Sequence, residues 1–394
     1  MKYEFSDNLK YMKSSAIRNL LKYIQQPGMI SFGGGMPNPE TFPIDKIMEI
    51  TNDVLKNYGK SALQYGTTDG LKLLRDELVK FILKDENIKC GPENIFITTG
   101  SQQALYALSK IFANPGDKVI LEAPTYVGMI SSLNANAVDS ESIGMDENGM
   151  IVENLEEKIK SMIKDGKKPR FIYTIPTFQN PAGYTMPLDR RKHLIEISKK
   201  YEIPVIEDNP YGDLRYSGSK VPTLKSLDDD VIYLGTFSKV MAPGLRTGYV
   251  IASEDVASKL NLLKQALDLA GDSFSQYIAY EYLKNGIIYE QIPKTIELYK
   301  RKRNVMLEAL DEHVDNAEWS KPDGGMFLWL RIKKNVDSEK LLEKAIEKKV
   351  AYVPGSAFYH KNPELNTMRL NFTYADDDDI KDGIKRLGQV IAEA

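Results

Sequence analysis

Short apolar, β-branched runs alternate with longer stretches of helical periodicity through the middle of the chain. Positions 94–99, 118–122, 171–175, 204–207, 231–235 and 248–252 are apolar through their centres, as strands buried on both faces are. Between them, 102–112, 155–163 and 188–201 repeat apolar residues at intervals of three and four, the stripe of a helix lying on a sheet. Alternation of this kind predicts crossover helices and an α/β unit built on a mostly parallel sheet. Ligands of such sheets bind beyond the carboxyl ends of the strands. The residues that follow each strand are therefore the ones to read for chemistry.

After about residue 275 the pattern changes to long helices, then short strands at 325–332, 350–353 and 367–373, then a last helix. This predicts a smaller α+β unit. Residues 1–45 hold a helix-like segment at 15–24 and a Gly/Pro-rich turn at 33–43. The expected division is an N-terminal arm and helix over 1–45, packing with the small domain, a large domain over 46–275 and a small C-terminal domain over 276–394. The basic run Lys300 to Arg303 lies among Ile292, Ile296, Tyr299, Met306 and Leu310, so it reads as the wet face of an amphipathic helix. The acidic run Asp376 to Asp379 precedes Ile380, Ile384, Leu387 and Ile391 and reads as the negative first turn of the final helix.

Composition narrows the class. With 394 residues, 42% hydrophobic and 27% charged, the chain has the balance of a folded protein of two or three units. A net charge of -3 predicts no nucleic-acid partner. Cys90 is the single cysteine, which excludes an internal disulfide and fits a reducing compartment. Residues 1–8 lack the apolar core of a leader, and no apolar stretch of about 18 residues follows. A cytoplasmic protein with no membrane anchor is expected. His193, His313 and His360 are scattered, so no metal site is expected.

The strand ends carry the candidate chemistry. Thr236-Phe237-Ser238-Lys239 follows the run 231–235, and Pro243 and Gly244 lead to Arg246. A lysine can form an imine with an aldehyde and an arginine can grip a phosphate, so the matching ligand is pyridoxal phosphate. A solvated loop lysine would look the same in isolation. Gly100-Ser101-Gln102 opens a helix after 94–99, offering N–H groups and a hydroxyl to an anion, or simply an N-cap. Asp208, in Glu207-Asp208-Asn209-Pro210-Tyr211, could keep a pyridine nitrogen protonated. At about 4 Å and an effective dielectric near 20 that pair is worth roughly 4 kcal/mol before desolvation. Asp208 could equally cap a turn. Tyr211 and Asn180, in Gln179-Asn180-Pro181-Ala182-Gly183, could donate to the ring's phenolic oxygen, although Asn-Pro turns are common. Tyr126, after Ala123-Pro124-Thr125, could stack on the ring or merely cover a core edge.

Taken together these motifs make the chain resemble a fold-type-I pyridoxal-phosphate-dependent aminotransferase, from about Ser14 to the C-terminus. The resemblance implies that fold, with a large domain holding the cofactor. It implies that Lys239 forms the imine and shuttles the proton, that Asp208, Tyr211 and Asn180 hold the ring and that Tyr126 stacks on it. Gly100, Ser101, Gln102, Thr236, Ser238 and Arg246 are implied at the phosphate. Tyr65, in Leu63-Gln64-Tyr65-Gly66, is implied to reach the neighbouring subunit's phosphate, hence a homodimer with shared sites. Arg369, in Thr367-Met368-Arg369-Leu370-Asn371-Phe372, is implied to clamp the substrate carboxylate, to which a planar fork is suited.

Ser15-Ala16-Ile17-Arg18, Ser31-Phe32-Gly33-Gly34-Gly35-Met36-Pro37 and Ile97 to Leu105 are most similar to the branch of 2-aminoadipate, kynurenine and archaeal aromatic aminotransferases. There the residue matching Arg18 lies on a mobile N-terminal helix that meets acidic side chains or swings away from apolar ones, and Gly34 borders the substrate. Met36 stands where the branch often has leucine, and Gly66-Thr67-Thr68-Asp69-Gly70 also departs, which leaves side-chain preference open. The expected reaction is ping-pong transfer of an amino group from an L-amino acid to a 2-oxo acid such as 2-oxoglutarate. The same motifs would serve a β-lyase or a decarboxylase. A non-catalytic regulator on this fold would need a DNA-binding segment, and only about 14 residues precede the matching region.

Overall fold

The computed structural model describes residues 1–12 and 26–394. In chain order the strands begin with β1 (Ile30–Ser31), β2 (Ile95–Thr98), β3 (Lys118–Ala123), β4 (Asp139–Asp146), β5 (Gly149–Met150), β6 (Ile172–Thr174) and β7 (Val205–Asp208). They continue with β8 (Ile232–Thr236), β9 (Gly248–Ile251), β10 (Ala317–Trp319), β11 (Phe327–Ile332), β12 (Val350–Ala351), β13 (Val353–Pro354) and β14 (Thr367–Asn371). The central sheet has the order β2-β9-β8-β7-β6-β3-β4-β5. Pairings from β8 through β7, β6 and β3 to β4 are parallel, while β9 runs against both its neighbours and β5 against β4.

Apolar residues at alternate strand positions fill two opposite layers, which is why the runs look continuous in sequence. On one face Val119, Leu121, Tyr173, Ile206 and Leu234 pack with Leu105 and Leu108 of the helix Ser101–Phe112. On the other, Ile120, Ile172 and Val205 meet Leu155 and Ile159 of Glu153–Lys164 and Leu194 of Leu188–Tyr201. Further along that sheet Ile97, Tyr233, Tyr249 and Ile251 share a core with the helices Ile44–Ala62, Lys72–Glu86 and Ser273–Lys284. The division expected after residue 275 falls inside this last helix, which packs against Ile44–Ala62 and Lys72–Glu86.

A second, antiparallel sheet has the order β10-β11-β14-β13. It packs with the long helix Ile287–His313 and the final helix Asp377–Ala392 around Met306, Leu310, Leu328, Leu370, Ile384 and Leu387. β1 pairs in parallel with β12, which ties the segment before the Gly-rich turn to this unit. Asp377, Asp378 and Asp379 form the first turn of the last helix, as expected. The basic run differs in one respect. Lys302 is buried and its Nζ donates to the Ala375 carbonyl at 2.7 Å, so one of the four charges staples two helices together and does not face water.

Candidate active site

Because β3, β6, β7 and β8 are parallel, their carboxyl ends share one edge, and the polar residues just beyond them converge. There a cavity of about 720 Å³ is lined by Ser101, Gln102, Tyr126, Asn180, Asp208, Tyr211, Thr236, Ser238, Lys239, Arg246 and Arg369. All but Arg369 come from the large sheet's strand ends and turns, and Arg369 comes from β14. Gly35, Met12, Val127, Ile175 and Phe327 are among the other wall residues.

Lys239 donates from Nζ to the Gly35 carbonyl at 3.0 Å. Burial, then the guanidiniums of Arg369 and Arg246, push its amine down from the ordinary 10.5 to about 8. A free-base nucleophile is thereby available near neutral pH. Asp208 is the last residue of β7 and 2% exposed. Its Oδ2 accepts from the Tyr173 hydroxyl at 2.8 Å, and its Oδ1 is buried without a protein partner. Burial pushes this carboxyl up to about 7, against the pull of the Tyr173 hydrogen bond. An unsatisfied buried oxygen costs about 1–3 kcal/mol, and a cationic donor in the cavity would remove that cost.

Asn180 sits in a loop held from below. Glu122, buried at the end of β3, accepts from Gln179 Nε2 at 3.1 Å and from the Ile175 N–H at 3.2 Å. Gln179 also donates to the Pro124 carbonyl at 2.9 Å. Arg191, fully buried, donates to the carbonyls of Pro176, Met186 and Pro222 at 2.8–3.0 Å. Two buried charges thus spend their hydrogen bonds on loop backbone and neighbouring amides, fixing where Asn180 points. Its Nδ2 donates to the Tyr211 hydroxyl at 3.1 Å and its Oδ1 accepts from Arg369 Nη1 at 3.0 Å. Tyr211 meets the Phe327 ring edge to face, with centroids 5.8 Å apart.

Arg369 is 1% exposed. Its guanidinium lies 4.1 Å from the Phe327 ring centroid and 5.0 Å from that of Phe358, and its Nη2 donates to the Gly33 carbonyl at 3.0 Å. Nε has no hydrogen-bond partner, and among the described residues the groups that favour its charge are the phenols of Tyr211 and Tyr126, not a carboxylate. Burial pushes the guanidinium down to about 10. A buried, charged fork compensated by carbonyls, phenols and aromatic faces is built to receive an anion.

A second anion cradle surrounds Arg246, which adopts a left-handed backbone with φ 48°. The helix Ser101–Phe112 begins here with no side-chain cap, so its first N–H groups are free to bind an anion. Gly100 holds a left-handed φ of 73°, where any side chain would be strained. Gly248 is required, since its Cβ would stand 3.0 Å from the Ser101 nitrogen. Thr236 and Ser238 add hydroxyls, and Thr236 Oγ1 accepts from the Ser238 N–H at 3.1 Å.

Some expected residues lie elsewhere. Gly100 backs the cradle and does not line it. Gln102 lines the cavity, but its side-chain Nε2 donates to the Gly128 carbonyl at 2.9 Å and to Ser132 Oγ at 3.0 Å, leaving its backbone N–H for a ligand. Gly34 is not a wall residue: its carbonyl accepts from Asn371 Nδ2 at 2.7 Å, and Gly35 faces the cavity instead. Tyr65 is 83% exposed and outside its own chain's cavity. Arg18 and the helix expected over 15–24 lie outside the described residues. In the sequence Tyr173 and Phe327 show only as strand residues. Tyr173 has a sequence signal of its own, since a hydroxyl inside a fully buried strand needs a partner.

Asp208's unsatisfied Oδ1, the uncapped helix beside Arg246 and the Lys239 amine, held near pKa 8, fit pyridoxal phosphate in ring, phosphate and aldehyde respectively. A family model described as aminotransferase class I and II matches residues 28–387. The chain is 47% identical to aromatic-amino-acid aminotransferase 1 of Thermococcus litoralis over 99% of this chain and 94% of that protein. The crystal structure of a Pyrococcus horikoshii kynurenine aminotransferase superposes with a TM-score of 0.96 at 46% identity, covering 99% of this chain and 97% of that one. An alpha-aminoadipate aminotransferase from Thermus thermophilus, complexed with N-(5'-phosphopyridoxyl)-L-leucine, superposes with a TM-score of 0.90 at 35% identity, covering 99% and 97%.

Proposed function

The chain belongs to the class I and II aminotransferases, and from that premise we propose that it moves the amino group of an aromatic, kynurenine-like or 2-aminoadipate-like L-amino acid to a 2-oxo acid such as 2-oxoglutarate, by a ping-pong cycle. It is an enzyme of fold type I that uses pyridoxal 5'-phosphate. The observation that carries the reading is the meeting of three groups in one cavity that, among the described residues, lack a charged or donor partner: Lys239 Nζ with only a carbonyl, Asp208 Oδ1 without a donor and Arg369 without an anion.

When bound, pyridoxal phosphate supplies an aldehyde that exchanges between lysine and substrate amines and a protonated ring that takes up electrons from the α-carbon. In the proposed roles Asp208 Oδ1 keeps the ring nitrogen's proton, and Asn180 Nδ2 and the Tyr211 hydroxyl donate to the ring's phenolic oxygen. Tyr126 covers the ring face. The first N–H groups of the helix Ser101–Phe112, with Gln102's among them, join Thr236, Ser238 and Arg246 at the phosphate. Tyr65 reaches the same phosphate from a second subunit of a cytoplasmic homodimer. Arg369 grips the substrate carboxylate, aimed by Asn180 Oδ1, and Lys239 carries the proton at the α-carbon.

Met12, Val127, Ile175 and Phe327 give the cavity apolar surface. The described basic residues of the cavity are all committed to cofactor or carboxylate, which supports aromatic donors and leaves acidic ones to Arg18. A spectrophotometric panel of amino acids against 2-oxoglutarate tests this. Turnover of aromatic, kynurenine or 2-aminoadipate donors is expected, and loss of the amino acid's β-substituent or carboxyl group without amino transfer would contradict it.

A further inference from the structure

Asp208 has two oxygens in unlike places. Oδ1 is unsatisfied at the cavity, while Oδ2 is spoken for by the Tyr173 hydroxyl at 2.8 Å. The contact follows from the sheet. β6 and β7 are parallel neighbours with Tyr173 opposite Ile206, and Tyr173, Ile206 and Asp208 point to the same face because side chains alternate along a strand. The Tyr173 ring is otherwise enclosed by apolar residues, including Leu121, Ile206 and Leu234.

We propose that Tyr173 is a positioning residue for the cofactor ring, acting through Asp208: its hydroxyl locks the carboxylate so that Oδ1 faces the ring nitrogen, and keeps that carboxylate ionised to receive it. This rests on the reading of Asp208 given above and adds a residue that touches neither substrate nor cofactor. Tyr173 is well suited to it. Burial and the neighbouring Asp208 hold its hydroxyl well above the usual phenol range, so it remains a donor throughout the working pH range.

Asp208 needs such a donor. The groups around it from every adjoining element are Tyr173 on β6, Glu122 on β3, Glu207 on β7, and the flanking Tyr126 and Tyr211. Burial is the strongest influence raising its pKa, and Glu122 and Glu207 raise it further. The Tyr173 hydrogen bond is the influence that lowers it. Without it the empty site would hold a neutral carboxylic acid over more of the physiological range, and a neutral acid is a weak partner for a pyridinium.

The test is the affinity of cofactor-stripped protein for pyridoxal phosphate between pH 5.5 and 8.5, read from the visible absorption of the bound cofactor, a measurement independent of turnover. Three proteins are compared: the unmodified chain, Tyr173→Phe, which keeps the ring in its apolar layer, and Asp208→Asn, in which residue 208 cannot ionise and which therefore shows the pH dependence that belongs to the cofactor and Lys239. In Tyr173→Phe the dissociation constant at pH 7 should rise about 10-fold, with the acid limb of the profile displaced upward by about half to one pH unit. Replacing Tyr173 by 3-fluorotyrosine, a stronger donor of nearly the same size, should displace the limb downward. If both Tyr173 variants follow the unmodified profile while Asp208→Asn binds weakly, the inference is overturned and the role of Asp208 stands. If Asp208→Asn binds as tightly as the unmodified chain, the reading of Asp208 itself has failed.

Discussion

Arg369 and Arg246 line the same cavity from different units of the molecule, and they are built in contrasting ways. Arg369 is buried between Phe327 and Phe358, with its fork aimed by Asn180 and Gly33. Arg246 is exposed, and its side chain reaches the carbonyls of Pro243 and Thr99 at 3.3 and 3.4 Å. Around it the uncapped helix start and two hydroxyls share the task. The proposed tasks explain the difference. A substrate carboxylate must be recognised afresh in each turnover, and one desolvated fork gives strong discrimination. A resident phosphate is held by many modest donors, none of them indispensable.

The contrast can be broken by exchanging charge for volume at each arginine. Arg369→Met should lower kcat/KM for every amino donor about 10³-fold, roughly 4 kcal/mol, with cofactor affinity little changed. Steady-state kinetics beside a cofactor titration checks both halves. Arg246→Met should do the reverse, raising the cofactor's dissociation constant about 10²-fold and leaving KM nearly as it was once cofactor is saturating. Because Arg246 is exposed, the unmodified protein's hold on cofactor should weaken with salt, and a salt-independent affinity would place the phosphate elsewhere.

The two arginines also mark how far the chemistry could be read from the chain alone. Strand ends were legible because a parallel sheet gathers them: once 204–207 and 231–235 were strands, Asp208 and Thr236 had to share an edge. The strand β4 was not legible, since its sequence Asp139 to Asp146 is mostly polar and, beyond its pairing with β3, only the two-residue edge strand β5 covers its other side. The reversed direction of β9 left no trace either, because a buried strand is apolar in both senses. Gly34 and Gly35 could not be told apart by spacing; Asn371 decides which carbonyl is taken. The role of Tyr173 is hidden in the sequence because only the register of β6 and β7 reveals what its hydroxyl meets.

Smaller effects sharpen the comparison. Arg18→Ala should raise KM for glutamate or 2-aminoadipate about 10-fold and leave aromatic donors almost unchanged, if acidic side chains depend on a third arginine. Equal losses for both donor classes would assign Arg18 to the fold or the interface.

The smallest effect links both arginines to Lys239. Its amine is held near 8 by burial first, then Arg369, then Arg246, so in cofactor-stripped protein the rate of pyridoxal phosphate capture should rise with pH and level off above about 8. Removing a positive neighbour removes a penalty on the ammonium form, so Arg369→Met should move the inflection upward by less than about one unit, and Arg246→Met by less still. The same lowered value makes Lys239 a stability cost below pH 8 that is relieved as pH rises from about 8 toward 10.5.

Borohydride reduction of the cofactor-loaded protein, followed by peptide mapping, probes the catalytic assignment most directly. The reduced pyridoxyl phosphate should be found on the peptide containing Lys239, and Lys239→Ala should keep the cofactor without covalent attachment and lose turnover. An adduct on any other lysine, or full activity in Lys239→Ala, would contradict the assignment.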